Sequence, residues 1–491
     1  MSSTTVPRPA HAPSAGHEDG WEPRQVAALA IVAVCGVLVA LTQSLLVPVM
    51  GEIQADVGAS TGDAAWLLTS TLLVGAIAVP VMGRLGDMLG KRRMLLVAAG
   101  ALAAGSLVCA LADGLALLIV GRAITGVSAA AIPLGISLIG SVLPRERAAG
   151  GIALVSATLG IGGALGLPLA ALVAEHADYH VLFWICAAGG VAAVVGIAFA
   201  VDAPERGRAK ERFDVVGTVL LSATLVCLLL PLAQANRWGW GDARTLGLLA
   251  AAAVLVVVFV LTERRTRSPL VDVRSNARPG LLLTNVASLC VGFALFASLI
   301  GTASYVQAPP ESGYGFGTSV LASGLAMLPS GVAMLLLSPV SAKLTNRYGP
   351  KLTLAIGAAI VAVGFLLRIV LVDAFWQIIL GTTVAGAGTG IAYAAMPALI
   401  MRGAHRRELA AANGLNTLFR SVGSSLASAA GGTLLASQTI TLAGVALPSL
   451  GAYRTLFAIC AGAALVGAAI ALVIPVAAGA ADEEAAPAAA A

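Results

Sequence analysis

The sequence predicts an all-α integral membrane protein with fourteen transmembrane helices, in which two six-helix halves flank an inserted helix pair. Hydrophobic residues make up 58% of the 491 residues and charged residues only 11%, which excludes an ordinary soluble domain. Apolar runs of about twenty residues, the length that a bilayer requires, recur along the chain. Two further observations set the arrangement: the connections alternate in charge, and two short motifs recur after about 260 residues.

Fourteen apolar segments are expected to cross the membrane as helices. They cover residues 26–47, 66–82, 94–111, 115–140, 151–173, 182–201, 215–233, 245–262, 280–304, 319–342, 352–371, 376–400, 411–435 and 454–476. Residues 1–24 are rich in proline, serine, alanine and glycine and are expected to form a disordered cytoplasmic tail, not a cleavable signal. The other predicted units are an N-terminal six-helix half (25–201), a linker with two inserted helices (202–278), a C-terminal six-helix half (279–476) and a second cytoplasmic tail (477–491).

The charges of the connections predict how the chain is oriented. The basic connections carry Arg84, Lys91, Arg92 and Arg93; Arg145 and Arg147; Arg206, Arg208, Lys210 and Arg212; Arg264, Arg265, Arg267, Arg274 and Arg278; Lys343, Arg347 and Lys351; and Arg402, Arg406 and Arg407. The connections between them carry Glu52, Asp56, Asp63, Asp113, Glu175, Asp178, Glu311 and Asp373. Because basic loops stay in the cytoplasm, both termini are expected to be cytoplasmic in a multi-pass protein of the cell (plasma) membrane. The net charge of +5 is therefore assigned to orientation and not to nucleic-acid binding.

The two halves carry degraded copies of the same motifs. Residues 85–92 read L-G-D-M-L-G-K-R, and residues 344–351 read L-T-N-R-Y-G-P-K. Residues 121–126 read G-R-A-I-T-G, and residues 381–386 read G-T-T-V-A-G. Both pairs join corresponding spans at nearly the same offset, so the sequence predicts two homologous halves.

The turn at residues 83–93, G-R-L-G-D-M-L-G-K-R-R, lies between two apolar flanks. It resembles the signature loop between the second and third helices of the major facilitator superfamily, G-x-L-x-D-r-x-G-r-r. Supporting matches are residues 66–73 leading to Pro80, Arg122 with Gly126, Trp238-Gly-Trp240 between the inserted helices, and residues 268–272 after them. In this order, the motifs make residues 25–476 similar to the fourteen-span drug:proton antiporter group of that superfamily.

The resemblance implies a secondary active transporter that works by alternating access and exports hydrophobic drugs or antibiotics. It implies the proton gradient as energy source. From the placement of the cations, cysteines and histidines we expect no nucleic-acid binding and no metal, and no cofactor is expected. The implied partners are a small hydrophobic substrate, protons and the lipid bilayer, with the chain as a monomer. A cavity with few fixed charges favours neutral or weakly cationic compounds.

Two departures from the group's pattern leave an alternative open. The first span reads Leu41-Thr42-Gln43-Ser44 where the group has L-D-x-T, so the carboxylate placed to carry the proton is absent. The fifth span reads G-L-P-L-A-A at residues 166–171 where the group has G-P-x-x-G-G. The alternative is a facilitator, or a dedicated exporter of one endogenous metabolite, without proton coupling through a first-helix carboxylate.

A membrane-embedded enzyme is an alternative of another class. It would need acidic or histidine clusters at the membrane face, and the sequence contains no H-E-x-x-H motif. The sequence also lacks a G-x-x-x-x-G-K-[ST] loop, so direct use of ATP is not expected. We therefore do not expect an enzyme.

The first candidate site is the turn at residues 83–93. The resemblance implies that its aspartate caps a neighbouring helix across the domain interface, pairs with cations and holds the outward-open state. A carboxylate is stabilised at a helix N-terminus, and a contact made in only one state shifts the equilibrium between two states. The conformational-gate candidates are Gly83, Arg84, Asp87, Gly90, Lys91 and Arg92. The alternative is that these charges only fix the orientation.

Arg122 lies inside the fourth span, where an unpaired cation costs about 3 kcal/mol. We expect it to face a cavity or a partner, and the resemblance assigns it to proton coupling or substrate contact. The alternative is an arginine that snorkels near a helix end. Arg368, close to the outer end of the eleventh span, is expected to snorkel.

Polar residues in three spans are candidates for the wall of the substrate cavity. They are Thr42, Gln43, Ser44, Thr69 and Ser70 in the N-terminal half, and Asn413, Asn416 and Arg420 in the C-terminal half. Such polar stripes can equally serve as packing contacts between helices. Trp238 and Trp240 are expected to anchor at the membrane interface and not to bind a ligand.

Overall fold

The computed structural model describes residues 22–201, 212–405, 408–442 and 445–475. Most of both predicted tails lies outside the described residues. The same holds for five cations of the predicted basic connections, namely Arg206, Arg208, Lys210, Arg406 and Arg407.

Almost all of the described residues are helical. The N-terminal half contains α1 (Pro23–Ser44), α2 (Leu46–Asp56), α3 (Thr61–Ala64), α4 (Trp66–Leu89), α5 (Lys91–Ala110), α6 (Leu115–Gly126), a 3-10 turn (Val127–Ala130), α7 (Ala131–Val142), α8 (Arg145–His176) and α9 (His180–Ala200). The inserted pair is α10 (Val215–Trp238) and α11 (Ala243–Glu263). The C-terminal half contains α12 (Val273–Asn276), α13 (Pro279–Gln307), a 3-10 turn (Pro310–Ser312), α14 (Val320–Leu336), α15 (Ser338–Tyr348), α16 (Pro350–Val370), α17 (Phe375–Gly403), α18 (Leu409–Ser437), β1 (Thr439–Leu442), β2 (Val445–Pro448) and α19 (Leu450–Val473).

Thirteen helical segments of the described chain are long and apolar enough to cross a membrane. Three of them are composite: α3 leads into α4, α6 runs through the 3-10 turn into α7, and α14 leads into α15. A further helix, α18, has 29 residues but carries Asn413, Asn416 and Arg420 along its length. With α18 the helices match the fourteen that the sequence predicts, and the all-α membrane fold is confirmed.

Small residues let neighbouring helices of each half pack closely. A Cβ atom at Gly162 of α8 would lie 2.5 Å from the carbonyl oxygen of Val37 in α1. In the other half, a Cβ atom at Gly357 of α16 would lie 2.6 Å from the backbone nitrogen of Ala392 in α17. Backbones can approach this closely only where glycine leaves out the side chain.

The two halves meet along two seams. Helix α4 packs against α18, and α8 packs against α14 and α17. The inserted helix α10 covers the first seam, because it contacts both α4 and α18. Its Leu221, Leu225 and Leu229 form one apolar cluster with Ala76 of α4 and Leu418 of α18.

The structure corrects the extent of the turn predicted at residues 83–93. Helix α4 continues through Leu89 and α5 begins at Lys91, so that Gly90 alone separates them. Gly90 has a φ of +107°, a conformation that favours glycine. Gly349, at the matching place between α15 and α16, has a φ of +84°. The gate candidates at 84 and 87 therefore project from the last turns of a helix and not from a loop.

Two connections contain structure that the sequence did not predict. The segment after α1 continues as α2, and β1 and β2 form an antiparallel hairpin before α19. The hydroxyl of Tyr314 donates to the carbonyl oxygen of Pro448 at 2.5 Å and so ties this hairpin to the segment after α13. We call the end of the bundle that carries the α4–α5 turn the basic end, and the end that carries Asp56, Asp178 and Glu311 the acidic end.

Candidate functional site

The carboxylate of Asp87 caps the first turn of α18 across the boundary between the halves. Its Oδ1 accepts the backbone N–H of Ala410 at 3.1 Å, and its Oδ2 accepts that of Ala411 at 2.9 Å. The first N–H groups of a helix have no partner within the helix, and Glu408, which precedes α18, forms no side-chain cap. Asp87 therefore supplies from α4 the cap that α18 lacks in its own sequence.

Glycine residues let α4 approach α18 closely enough for this cap. A Cβ atom at Gly83 would lie 2.8 Å from the carbonyl oxygen of Ala410. A Cβ atom at Gly86 would lie 2.5 Å from Cδ2 of Leu134 in α7. These two glycines of the motif thus serve helix contact, whereas Gly90 serves the turn.

The three basic gate candidates bind different partners. Lys91 Nζ donates to a backbone carbonyl of α7 at 3.3 Å, and Arg92 Nη2 donates to a backbone carbonyl of α9 at 2.6 Å. Arg84 is 6% exposed and lines a small crevice with residues 269–272. Lys91 and Arg84 both interact electrostatically with Asp87. The three cations therefore tie the turn to its surroundings, while the cap itself is made by the carboxylate.

The matching position in the C-terminal half makes no such cap. Asn346 on α15 corresponds to Asp87 in the repeated motif. It is exposed and forms no side-chain hydrogen bond with any residue that the structure describes. Among the described residues, the copy of the motif that contains Asp87 therefore caps a helix of the opposite half, and the copy that contains Asn346 does not.

Arg122 is buried, with 3% of its surface exposed. Its Nη2 donates to the carbonyl oxygen of Thr42 at 3.2 Å, and its Nε donates to that of Leu67 at 3.5 Å. The guanidinium group therefore joins α6 to α1 and α4 through neutral acceptors, and no carboxylate within the described ranges forms an ion pair with it. It faces partners, as the sequence predicts, and does not snorkel to the surface of the bundle.

The polar candidates of the N-terminal half are engaged with backbone. The hydroxyls of Thr42, Ser44 and Thr69 donate to carbonyls three or four residues earlier in the chain, at 2.8 to 3.2 Å. The Ser70 hydroxyl lies 3.5 Å from a carbonyl oxygen of α6, and Gln43 is half-buried. None of the five belongs to the wall of the cavity described below. Their assignment to a substrate cavity stays a prediction.

Two of the C-terminal candidates are bonded inside the half. Asn416 Nδ2 donates to Asn285 Oδ1 at 2.9 Å and to the Ser288 hydroxyl at 2.6 Å, which joins α18 to α13. Asn416 is 2% exposed and Asn285 is 1% exposed. Asn413 donates to a carbonyl of its own helix at 2.8 Å. For Asn416 the geometry is that of a packing contact between helices.

Arg420, the third candidate, contacts an aromatic ring. Its Cζ lies 4.7 Å from the centroid of the Tyr393 ring on α17, a cation–π contact. The side chain is partly exposed and makes no hydrogen bond or ion pair with another described residue. Arg420 therefore remains the C-terminal candidate that is most available to a ligand.

The expectation that Arg368 snorkels is wrong. The side chain is 0% exposed. Its Nη1 donates to the Ser298 hydroxyl at 2.9 Å and its Nη2 to the Thr302 hydroxyl at 2.8 Å. Its Cζ lies 3.8 Å from the centroid of the Phe457 ring. Two hydroxyls of α13 and the negative face of an aromatic ring thus lower the cost of burying the cation without neutralising its charge, so it does not need to reach the surface.

A cavity of about 40 Å³ lies where α8 of the N-terminal half meets the C-terminal half. Its wall is formed by α8, α13, α14, α16 and α17 and includes Gly163, Ser298, Ser330, Met334 and Phe365. Drug-sized ligands occupy sites of about 300 to 1,000 Å³. This cavity is therefore smaller than the site that a drug-sized ligand needs.

The inserted pair is fastened to both halves at the acidic end. Arg237 Nη1, at the end of α10, donates to the carbonyl oxygen of Gly62 in the N-terminal half at 2.7 Å. Trp240 Nε1 donates to the hydroxyl of Thr433 in the C-terminal half at 2.7 Å. The turn predicted as an interfacial anchor therefore also bridges the seam between α4 and α18.

Comparison with known proteins identifies the family of the chain. The sequence profile of the Major Facilitator Superfamily matches residues 32–307 and 288–490. The Tetracenomycin C resistance and export protein of Streptomyces glaucescens is 30% identical over 450 residues, which cover 89% of this chain and 81% of that protein. The "Probable actinorhodin transporter" of Streptomyces coelicolor is 28% identical, over 84% of this chain and 72% of that protein.

A solved structure shares the fold. The crystal structure of the human organic anion transporter MFSD10 (TETRAN) superimposes with a TM-score of 0.64 at 14% sequence identity, covering 92% of this chain and 100% of that one. At this identity the likeness concerns the fold alone. The two family matches and the identity to the Streptomyces glaucescens protein carry the assignment: the chain belongs to the major facilitator superfamily, in its drug-efflux group, and is a membrane transporter and not an enzyme.

Proposed function

We propose that the chain exports hydrophobic, antibiotic-like compounds by alternating access, driven by the proton gradient. The cap of α18 by Asp87 carries this proposal. It joins the two halves at the basic end through two hydrogen bonds, which a rocking motion can break and remake. Relatives named for the export of tetracenomycin C and the transport of actinorhodin support export as the direction and antibiotics as the substrate class.

The orientation follows from the charges of the two ends. The basic end is proposed to face the cytoplasm of the cell, so that both termini are cytoplasmic in the cell membrane. The chain is further proposed to function as a monomer. With Asp87 seated on α18, the bundle is closed on the cytoplasmic side. Loss of this cap accompanies the opening through which substrate enters.

A second candidate is a dedicated exporter that does not couple to protons through its first helix. The position where the group carries a carboxylate is Thr42 in this chain, and Arg122 is bonded there to a backbone carbonyl at 3.2 Å. A carbonyl cannot take up a proton in the physiological range. On the question of proton coupling alone, this contact therefore favours the exporter that does not couple to protons through its first helix.

The test is drug susceptibility and dye efflux in a pump-deficient host, followed by transport in liposomes with and without a pH gradient. The proposal expects resistance to several compounds that is abolished by a protonophore and by Arg122→Ala, with unchanged protein abundance in the membrane. Transport that proceeds equally well without a pH gradient would replace the first candidate by the second. Absence of transport of every compound in a broad panel by well-expressed protein would remove both.

A further inference from the structure

Arg368 brings a positive charge to the wall of the cavity between the halves. Ser298 and Phe365 line this cavity, and both contact Arg368: Ser298 accepts from Nη1 at 2.9 Å, and the Phe365 ring centroid lies 5.7 Å from Cζ. Thr382, another wall residue, follows Gly381, which packs directly against Cγ of Arg368. The cation is therefore separated from the cavity by one layer of side chains.

No negative charge accompanies this cation. Within the described part of the chain Arg368 forms no ion pair, and the ionisable groups that interact with it are the Cys460 thiol and the Tyr305 phenol. Its two Nη atoms bind neutral hydroxyls, and its Nε is buried without a hydrogen-bond partner. Buried charges are ordinarily paired, so the wall of the cavity carries an unbalanced positive potential that favours an anion.

Two hydroxyl groups can donate into the cavity. Ser298 accepts a hydrogen bond from Arg368, but its own proton has no acceptor among the described residues. A hydroxyl that accepts from a cation becomes a stronger donor. Ser330 also lines the cavity without a side-chain hydrogen bond to any described residue. The wall threonines at 382 and 389, by contrast, donate to carbonyls of their own helix.

The rest of the wall suits an aromatic ring. It includes Leu295, Leu299, Met327, Met334 and Phe365. Leucine and phenylalanine bury apolar surface, and methionine adapts to rings of different shape. Because α8 lines the cavity from the opposite half, separation of α8 from α14 enlarges it from its closed volume of about 40 Å³.

From these contacts we infer that the cavity binds an acidic aromatic compound, whose ionised carboxylate or phenolate accepts from the Ser298 hydroxyl in front of Arg368. The inference rests on the proposed export function and narrows its substrate class. It differs from the expectation of neutral or weakly cationic substrates, which was drawn from a cavity with few fixed charges and did not take the buried position of Arg368 into account.

The test uses the full-length protein in lipid nanodiscs and a matched pair of probes, anthraquinone-2-carboxylate and its methyl ester. Wild type is expected to bind the acid at least tenfold more tightly than the ester at pH 7. Arg368→Gln and Ser298→Ala should each weaken binding of the acid, by about tenfold and about threefold, and change binding of the ester less than twofold. Arg347→Gln, the same substitution at an exposed arginine of the basic end, is the control and should change the affinity for neither probe.

A third variant tests the location. A Cβ atom at Gly163 meets no atom within 4 Å, so Gly163→Leu fills the cavity without a clash of its first carbon. This substitution should weaken the binding of both probes to a similar extent. If Gly163→Leu leaves both affinities intact, the probes bind elsewhere and the inference is overturned.

The outcomes separate a binding role from a structural one. Equal losses of acid and ester in Ser298→Ala, with a monodisperse protein, would show that the hydroxyl only supports packing and would overturn the inference. Should Arg368→Gln aggregate, Ser298→Ala decides, because it leaves the cation and its Thr302 contact in place. Export of neutral and cationic dyes without any preference for the acid would overturn this inference while the proposed function stands. Failure to transport any compound would remove the proposed function itself.

Discussion

The carbonyl oxygen of Ala410 occupies the place that a side chain on Gly83 would need, because a Cβ atom there would lie 2.8 Å away. Four residues further along α4, Asp87 accepts the N–H of the same alanine at 3.1 Å. The cap therefore depends on the absence of a side chain at residue 83. The carboxylate reaches α18 only while the backbone at Gly83 lies against it.

Gly83→Ala is expected to weaken the cap and to reduce transport several-fold. The added methyl group meets backbone, which cannot move aside as a flexible side chain would, so α4 must shift away from α18. The measurement is dye efflux together with protein abundance. The control is Gly100→Ala on α5, where a Cβ atom meets nothing within 4 Å and where alanine favours the helix. Equal activity in the two variants would show that the close approach does not matter.

Asp87→Asn is expected to cripple export while the protein remains in the membrane at normal abundance. Asparagine offers one acceptor oxygen in place of two and loses the charge that a helix N-terminus stabilises, a cost of about 1 to 2 kcal/mol to the closed state. Asn346→Ala is the matched control, because Asn346, the corresponding residue of the other half, caps no helix in the described part of the chain and should be dispensable. Loss of abundance in Asp87→Asn would instead make Asp87 a residue required for folding.

Thr42→Asp is expected to make transport more dependent on pH. The backbone of residue 42 already accepts from Arg122 Nη2 at 3.2 Å, so a carboxylate at this position lies near a cation that can pair with it. The readout is the pH dependence of substrate uptake in inverted vesicles, compared with that of wild type. A pH profile identical to wild type, with full activity, would mean that a first-helix carboxylate is not sufficient to couple transport to protons in this chain.

The acidic end should lose stability in alkali through Tyr179. This phenol is 1% exposed and donates to Asp56 Oδ2 at 2.8 Å. Burial, and then the contact with Asp56, raise the pKa of Tyr179 above its ordinary value of about 10. A group whose folded pKa is raised contributes stability below its unfolded pKa, and the contribution falls as pH rises towards the folded pKa.

Wild type should therefore be more stable than Tyr179→Phe at pH 8, by about 1 kcal/mol for the hydrogen bond. The difference should shrink by about 1 kcal/mol at pH 11, because only the unfolded chain then ionises. Thermal unfolding in detergent at the two pH values measures this, with Tyr348→Phe on an exposed ring as the control. A difference that does not vary with pH would show that Tyr179 ionises equally in both states.

The helices and the cap were within reach of the sequence, because both depend on local patterns. Apolar runs and charged connections locate the spans, and the motif around Asp87 carries the cap through its resemblance to known transporters. The partners of Arg368 could not be predicted from the sequence, since Ser298 lies 70 residues earlier and no spacing rule links two helices that pack in space. An arginine near a helix end is as compatible with snorkelling as with burial until its neighbours are known.

The same limit explains the other differences. Gly90 forms the turn by itself because its positive φ reverses the chain in one residue, and a sequence with three glycines does not show which one does so. For Asn416 the sequence left open whether it lines the cavity or makes a packing contact between helices, because it does not show which helix lies beside it. Its partners, Asn285 and Ser288, belong to α13.

The two bonds of the inserted pair have a mechanical consequence. Arg237 holds Gly62 on one side of the seam, and Trp240 holds Thr433 on the other, each across 2.7 Å. Hydrogen bonds do not survive a stretch of more than about 1 Å, so both cannot last if the halves part at the acidic end. The inserted pair would then move together with the half whose hydrogen bond remains. Any separation of the halves at the acidic end therefore requires at least one of these two bonds to break, and this loss is part of the cost of that motion.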